Sequence, residues 1–297
     1  MNKSFSIFNI ELTNYCPMKC IMCPRTNNMT RDRGYMELDL FEKAIDEISL
    51  LPPPPEGEIV WLHHFGESLM HRDFGRCIAY ASGHGIRTGL SINPIMLTDE
   101  IIEDLVMSEL SVLYISLDGH DDESFRRIRG IPDAYELSRE RLQKFLKIKI
   151  GRGCPITVIL SMVDFEMNRA SIDTARNRWE ATPGIDRFLA KSFTTWDGSA
   201  ADVSQYASVG STVDRSRVRC SWPFERMTIT WDGDVVPCCF DYDKKYVLGS
   251  LRTMTLAEIW TGEPLRRLRD EFITNRVVNR LCANCERLYM PAHLVKL

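Results

Sequence analysis

Three cysteines stand close together at Cys16, Cys20 and Cys23, spaced by three and then by two residues. Three thiolates on one short loop make a soft donor set. A structural zinc site ordinarily takes four protein ligands, so three leave one position open. An iron–sulfur cubane held by the same three would leave one iron free to bind something else. Four more cysteines, Cys220, Cys238, Cys282 and Cys285, form a possible closed set, with Cys282-Ala-Asn-Cys285 as a compact two-thiolate bite. On spacing alone this second set suits zinc as well as a 4Fe–4S cluster. Cys238 is followed at once by Cys239. Adjacent side chains of an extended chain point to opposite sides, and a bond between neighbouring cysteines is strained. One metal centre does not readily take both, so one of the two is spare. Cys77 and Cys154, within a helix and beside a strand start, read as structural.

These groups need a frame. Up to about residue 190 the sequence alternates strand-like and helix-like stretches. Strands are expected at Ser6–Glu11, Glu58–His63, Ile86–Ile92, Ser111–Leu117, Ile156–Met162 and Asp186–Ala190. Between them come helices beginning at Asp39, read as an N-cap with Glu42 three residues on, and at Phe74–Ser82, Asp99–Met107, Tyr135–Lys149 and Ile172–Trp179. The proline run that starts at Pro52 ends the first helix. Strands alternating with helices imply an α/β fold with a parallel sheet, open or closed as a barrel. A polar stretch, Asp197–Ser216, then reads as a linker or lid. Beyond it a hairpin (Met227–Trp231, turn Asp232-Gly233, Val235–Val236) and a helix near Thr255–Phe272 suggest a smaller domain built round the second cysteine set.

The 297 residues are 44% hydrophobic, ample for a core. A formal charge of −4 argues weakly against nucleic acid and slightly favours a cationic ligand. The start, MNKSFSIFNIELTN, turns polar too soon for a cleavable apolar segment, and no run approaches membrane-spanning length. The expectation is a cytoplasmic protein whose ten cysteines serve metal or redox chemistry and not disulfides.

The first cysteine loop, placed directly after the first strand, resembles that of the radical S-adenosylmethionine (SAM) enzymes. Later stretches follow in the family's order. His63-His64-Phe65-Gly66-Glu67-Ser68-Leu69 resembles the glycine-glutamate motif, with Phe65 and Ser68 where Gly and Pro are common. Ser91-Ile92-Asn93 resembles the motif near the SAM ribose, with Pro94 replacing a common Gly. Ser116-Leu117-Asp118-Gly119 follows the fourth strand, and Arg129-Gly130 comes after it. The resemblance implies a partial (β/α)6 TIM-like barrel. It implies a 4Fe–4S cluster on Cys16, Cys20 and Cys23 whose open iron chelates SAM. Gly66 and Glu67 would hold the SAM amino group, and Ser91, Asn93, Ser116, Asp118 and Arg129 would serve its ribose or carboxylate. Ligands normally sit at such strand ends on the C-terminal face of a barrel.

The stretches around Cys220-Ser-Trp-Pro, Asp232-Gly-Asp-Val-Val-Pro-Cys238, Leu256-Ala-Glu-Ile-Trp260 and Cys282–Cys285 resemble the auxiliary-cluster domain of the SPASM/twitch branch. The resemblance implies a core at 1–200 and an auxiliary domain at 201–297, with a second 4Fe–4S cluster on Cys220, Cys238, Cys282 and Cys285. Cys239 as ligand, with Cys238 spare, stays open. Within the branch the chain resembles the epimerases and dehydrogenases of aminoglycoside antibiotic biosynthesis. Oxidation of a carbon radical needs only the auxiliary cluster. Inversion needs a thiol on the opposite face, which the extra Cys239 could supply as hydrogen-atom donor. The expectation is an epimerase of an aminoglycoside sugar; the alternatives are a dehydrogenase of an amino-sugar or alcohol, and a peptide-modifying epimerase. The implied partners are a small cationic substrate and a flavodoxin- or ferredoxin-type reductant, with no nucleic acid and no membrane. Asp197, Asp241 and Asp243 are expected, from position only, to receive substrate ammonium groups. His63 and His64 receive no role.

Overall fold

The computed structural model describes residues 5–52, 57–206 and 216–289. Residues 53–56, which include most of the proline run, and the part of the polar stretch at 207–215 lie outside the described residues.

The chain alternates as its pattern demands. β1 (Ser6–Ile10), α1 (Leu38–Ser49), β2 (Val60–Trp61), α2 (Phe74–Gly83), β3 (Thr88–Ile92) and α3 (Asp99–Met107) come first. β4 (Val112–Ser116), α4 (Asp122–Arg129), α5 (Tyr135–Gly151), β5 (Thr157–Asp164), α6 (Ile172–Glu180) and β6 (Arg187–Ser192) complete the core. The short α7 (Ala201–Ser204) leads to β7 (Arg226–Ile229), β8 (Asp234–Val236), β9 (Gly249–Ser250), α8 (Leu256–Thr261) and α9 (Glu263–Ile273).

All these strands form one sheet in the order β6-β5-β4-β3-β2-β1-β7-β8-β9. The first six run parallel, as crossover helices require. β7 joins the free side of β1 in parallel, with Ile7 opposite Met227 and Ile10 opposite Ile229, and β8 and β9 follow antiparallel. The C-terminal hairpin thus continues the core sheet and brings the second cysteine set beside the first strand.

Alternation along the strands separates two apolar groups. Leu113, Ile115, Val158 and Leu160 join the main core under the helices. Tyr114, Val112 and Ile159 face the other way with Trp61 and Phe8, filling the inner side of the partial barrel. Cross-strand register carries Ser91, next to Tyr114, and the pair Ser116–Ser161 onto that same inner side near the strand ends.

Two expectations change, and one helix is added. Asp39 does not cap α1: Glu37 is the last extended residue, and Asp39 lies inside the first turn. The expected helix over 255–272 is two, because Gly262 is extended (φ −65°, ψ 159°) and Pro264 opens α9. α4 went unread; an Asp121–Ser124 capping box starts it and left-handed Gly130 ends it.

Candidate active site

The Cys16–Cys23 loop leaves β1 and is fastened from below by the end of α4. Lys19 N–H donates to Arg129 O at 3.1 Å and Ile21 N–H to Ile128 O at 3.0 Å. The Arg129 side chain ion-pairs with buried Asp118 and donates from Nη1 to Cys20 Sγ at 3.4 Å. Arg129 and Asp118, expected to serve SAM directly, here brace the cysteine loop. Burial pushes the Cys16 thiol up to about 12 and Cys23 to about 11. Thiolates held there need compensating positive charge, which a metal cluster supplies.

Two glycines make this packing possible. A Cβ on Gly66 would fall 2.0 Å from Thr13 O, and one on Gly130, at φ 74°, would fall 2.5 Å from Lys19 O. Gly130→Ala is therefore expected to cost about 2 kcal/mol, through both the left-handed backbone and the clash. Denaturant unfolding checks the stability, and iron content after anaerobic reconstitution checks whether the loop still loads.

Glu67 follows Gly66 and is buried. Its Oε2 accepts the Asn93 N–H at 2.8 Å, and its Oε1 accepts the Leu69 N–H at 3.3 Å. Burial pushes its carboxyl up to about 7 despite these bonds. A carboxylate has roughly four acceptor sites, so it retains capacity for a ligand ammonium, whose charge would restore the ionised form. Asn93 caps Ile95 N through Oδ1, and its buried Nδ2 has no protein partner. Ser91 and Ser116 are half-buried at the ends of β3 and β4. Buried Ser161 Oγ, Tyr114 OH and His63 Nδ1 also lack partners. Buried polar atoms ordinarily find partners, so these orphans fit a polar ligand held inside the barrel. Ser161 and Tyr114 were not singled out by sequence, since one Ser or Tyr in a strand carries no motif.

Across the sheet, Cys220, Cys238, Cys282 and Cys285 line one pocket of about 30 Å³, together with Trp222 and Phe240. Cys239 is not among its lining residues. Burial raises all four lining thiols, Cys285 to about 12. Among the described residues no three His, Cys, Asp or Glu side chains gather as a single-ion site would. Trp196 lies between the two cysteine groups: its indole N–H donates to Met22 O at 2.7 Å, and its own carbonyl accepts from Cys285 Sγ at 3.6 Å.

The three expected substrate carboxylates all have protein partners. Asp197 is buried against Lys245. Asp241 accepts the Lys245 and Tyr246 N–H groups, and burial pushes it up to about 6. Asp243 accepts from Thr30 N, Thr30 Oγ1 and Arg31 N at 2.6, 2.7 and 2.9 Å.

A family model described as the radical SAM superfamily matches residues 10–176, more than half of the chain. The chain belongs to the radical SAM superfamily. A second model, SPASM, described as an iron–sulfur cluster-binding domain, matches 220–286. The radical SAM and SPASM matches imply SAM and iron–sulfur clusters as cofactors. Among its relatives is a tungsten-containing aldehyde ferredoxin oxidoreductase cofactor-modifying protein of Pyrococcus furiosus, 24% identical and spanning 93% of this chain and 86% of that one. The SAM-dependent 2-deoxy-scyllo-inosamine dehydrogenase of Niallia circulans is 21% identical over 97% of this chain and 95% of its own. An AdoMet-dependent heme synthase of Methanosarcina barkeri is 29% identical, but the match spans only 35% of its length. The fold is shared with BtrN in complex with AdoMet and 2-DOIA (TM-score 0.60, 16% identity, 96% of this chain and 94% of that one). It is shared also with Streptococcus suis SuiB bound to its precursor peptide SuiA (TM-score 0.62, 16% identity, 98% and 72%). Among the described residues no helix is long and apolar enough to cross a membrane.

Proposed function

We propose that this radical SAM protein is an epimerase inverting one sugar carbon of an aminoglycoside, converting neomycin C to neomycin B at C-5‴. The observation that carries the reading is the division of the cysteine pair: Cys238 lines the four-cysteine cavity and Cys239 stands outside it. In this reading Cys16, Cys20 and Cys23 hold a SAM-binding 4Fe–4S cluster, with Gly66 and Glu67 at the SAM ammonium and Ser91, Asn93 and Ser116 along its ribose. Cys220, Cys238, Cys282 and Cys285 hold a second cluster, and the chain divides into a core at 1–200 and an auxiliary domain at 201–297. We place the reaction in the cytoplasm.

When bound, SAM and its cluster would supply, for one electron from the flavodoxin- or ferredoxin-type reductant, the 5′-deoxyadenosyl radical that takes a hydrogen atom from substrate. Cys239 then acts on the opposite face. Its S–H bond breaks as the new C–H bond forms, and that transfer runs downhill because S–H is the weaker bond. The sulfur regains its hydrogen as one electron, from a flavodoxin- or ferredoxin-type reductant, and one proton from solvent.

A second reading is oxidation of an amino-sugar or alcohol. The near full-length match to the inosamine dehydrogenase favours it, and none of the relatives named above is an epimerase. On the comparisons alone, oxidation is the better supported of the two. The free cysteine beside the cluster ligand is what oxidation leaves unexplained. Neomycin C turned over in deuterium oxide decides between them. Inversion predicts neomycin B carrying one solvent deuterium at the inverted carbon; an oxidised product means a dehydrogenase.

A further inference from the structure

We propose that His64 is a positioning residue that holds Cys239 in place, by donating a hydrogen bond to its carbonyl from a buried ring packed beside the ion pair at the end of β1. This inference rests on Cys239 being the hydrogen-atom donor.

His64 Nε2 lies 2.9 Å from Cys239 O. A carbonyl only accepts, so Nε2 carries the proton and donates. The ring's other nitrogen, unprotonated in this tautomer, lies 3.6 Å from Glu11 Oε1 without a hydrogen bond, and the side chain is 1% exposed. Glu11 is completely buried and accepts both Arg31 Nη1 and Nη2 at 2.6 Å. The Phe65 and Trp231 N–H groups reach the same carboxylate at 3.1 and 3.3 Å. Arg31 turns its Nε to Tyr242 O at 2.7 Å, and Asp243 accepts from Thr30 and Arg31. Segment 239–243 is thus held at Cys239 by His64, at Tyr242 by Arg31, and at Asp243 by Thr30 and Arg31. His64 makes the grip at Cys239 itself.

The position matters for the reaction. A hydrogen-atom donor must lie at one face of a short-lived carbon radical, and small displacements of a reacting group cost large factors in rate. The backbone of Cys239 is constrained on one side by Cys238, whose thiol faces the cluster cavity. Without His64 the peptide between Cys239 and Phe240 could rotate, and with it the backbone that aims Sγ.

Gln can replace an Nε2–H donor, whereas Phe keeps a ring of similar size and donates nothing. With reconstituted enzyme and neomycin C, His64→Phe is expected to lower the ratio of inverted product to 5′-deoxyadenosine about tenfold. His64→Gln should stay within about twofold of wild type. A role in folding alone would lower both products together and leave the ratio unchanged, which would overturn the inference. So would equal loss in the two variants. Peptide-resolved alkylation of Cys239 in the reconstituted protein reads the same tether without substrate. Its rate should change about tenfold in His64→Phe and hardly in His64→Gln; an unchanged rate in both overturns the inference. A wild type that oxidises neomycin C, or leaves it unchanged, overturns the epimerase reading instead.

Discussion

Cys239→Ala is expected to keep cleaving SAM while losing at least about a hundredfold in inverted product, because it removes a group needed only after the substrate radical exists. The two halves of that result are separable on the molecule. Cys239 is remote in sequence from the Cys16–Cys23 loop and makes no part of its bracing by Arg129, Asp118 and Gly130. It also stands off the cavity lined by Cys220, Cys238, Cys282 and Cys285, so both clusters should load normally. Iron and sulfide content of the variant checks this. Product analysis then checks the chemistry: 5′-deoxyadenosine persists, neomycin B falls, and solvent deuterium no longer reaches the inverted carbon. If Cys239→Ala loses half its iron, Cys239 is a ligand and Cys238 the spare. If it inverts neomycin C at the wild-type rate, the donor assignment is wrong.

The parts of this site that sequence reveals are those whose partners are neighbours in the chain. Cys16, Cys20 and Cys23 sit within one loop, so their spacing alone states a ligand set. The Asp99–Met107 helix is legible to the residue because Thr98 caps it and its apolar positions repeat. Glu11 shows the opposite case. Its partners Arg31, Phe65 and Trp231 come from three different loops, joined only once β1 lies between β2 and β7. A single Glu at a strand end has no period and no motif, so nothing local marks it. For the same reason position in the chain does not reveal that Lys245 engages Asp197 and Asp241, or that Thr30 and Arg31 engage Asp243. The break at Gly262 was legible in principle, since Gly followed two residues later by Pro interrupts a helix; the apolar period running across it hid the break.

The burial of Glu11 makes it the position where one charge should matter most to stability. Its side chain is 0% exposed and that of Arg31 is 3%, so neither charge has water to fall back on. Removing one partner of a buried pair strands the other, at a cost of about 3–5 kcal/mol. Glu11→Gln is isosteric and should show that cost in denaturant unfolding, because Arg31 keeps its charge. Glu11→Gln combined with Arg31→Met should recover part of it, since the stranded charge is gone. The pH dependence follows from the same pair. Burial pushes the Glu11 carboxyl up, but the charge and hydrogen bonds of Arg31 outweigh it and hold the group below the usual carboxylate range. A folded-state value below the unfolded one stabilises the fold above the unfolded value of 4.5 and loses that contribution as pH falls through the folded one. Wild type should therefore lose more stability on acidification than Glu11→Gln, and the two unfolding curves should converge at low pH. Parallel acid limbs, or a Glu11→Gln cost below about 1 kcal/mol, would show that the pair contributes no more than an exposed one. Since Arg31 bonds both this carboxylate and Tyr242 O, a real loss here should also loosen the segment that carries Cys239.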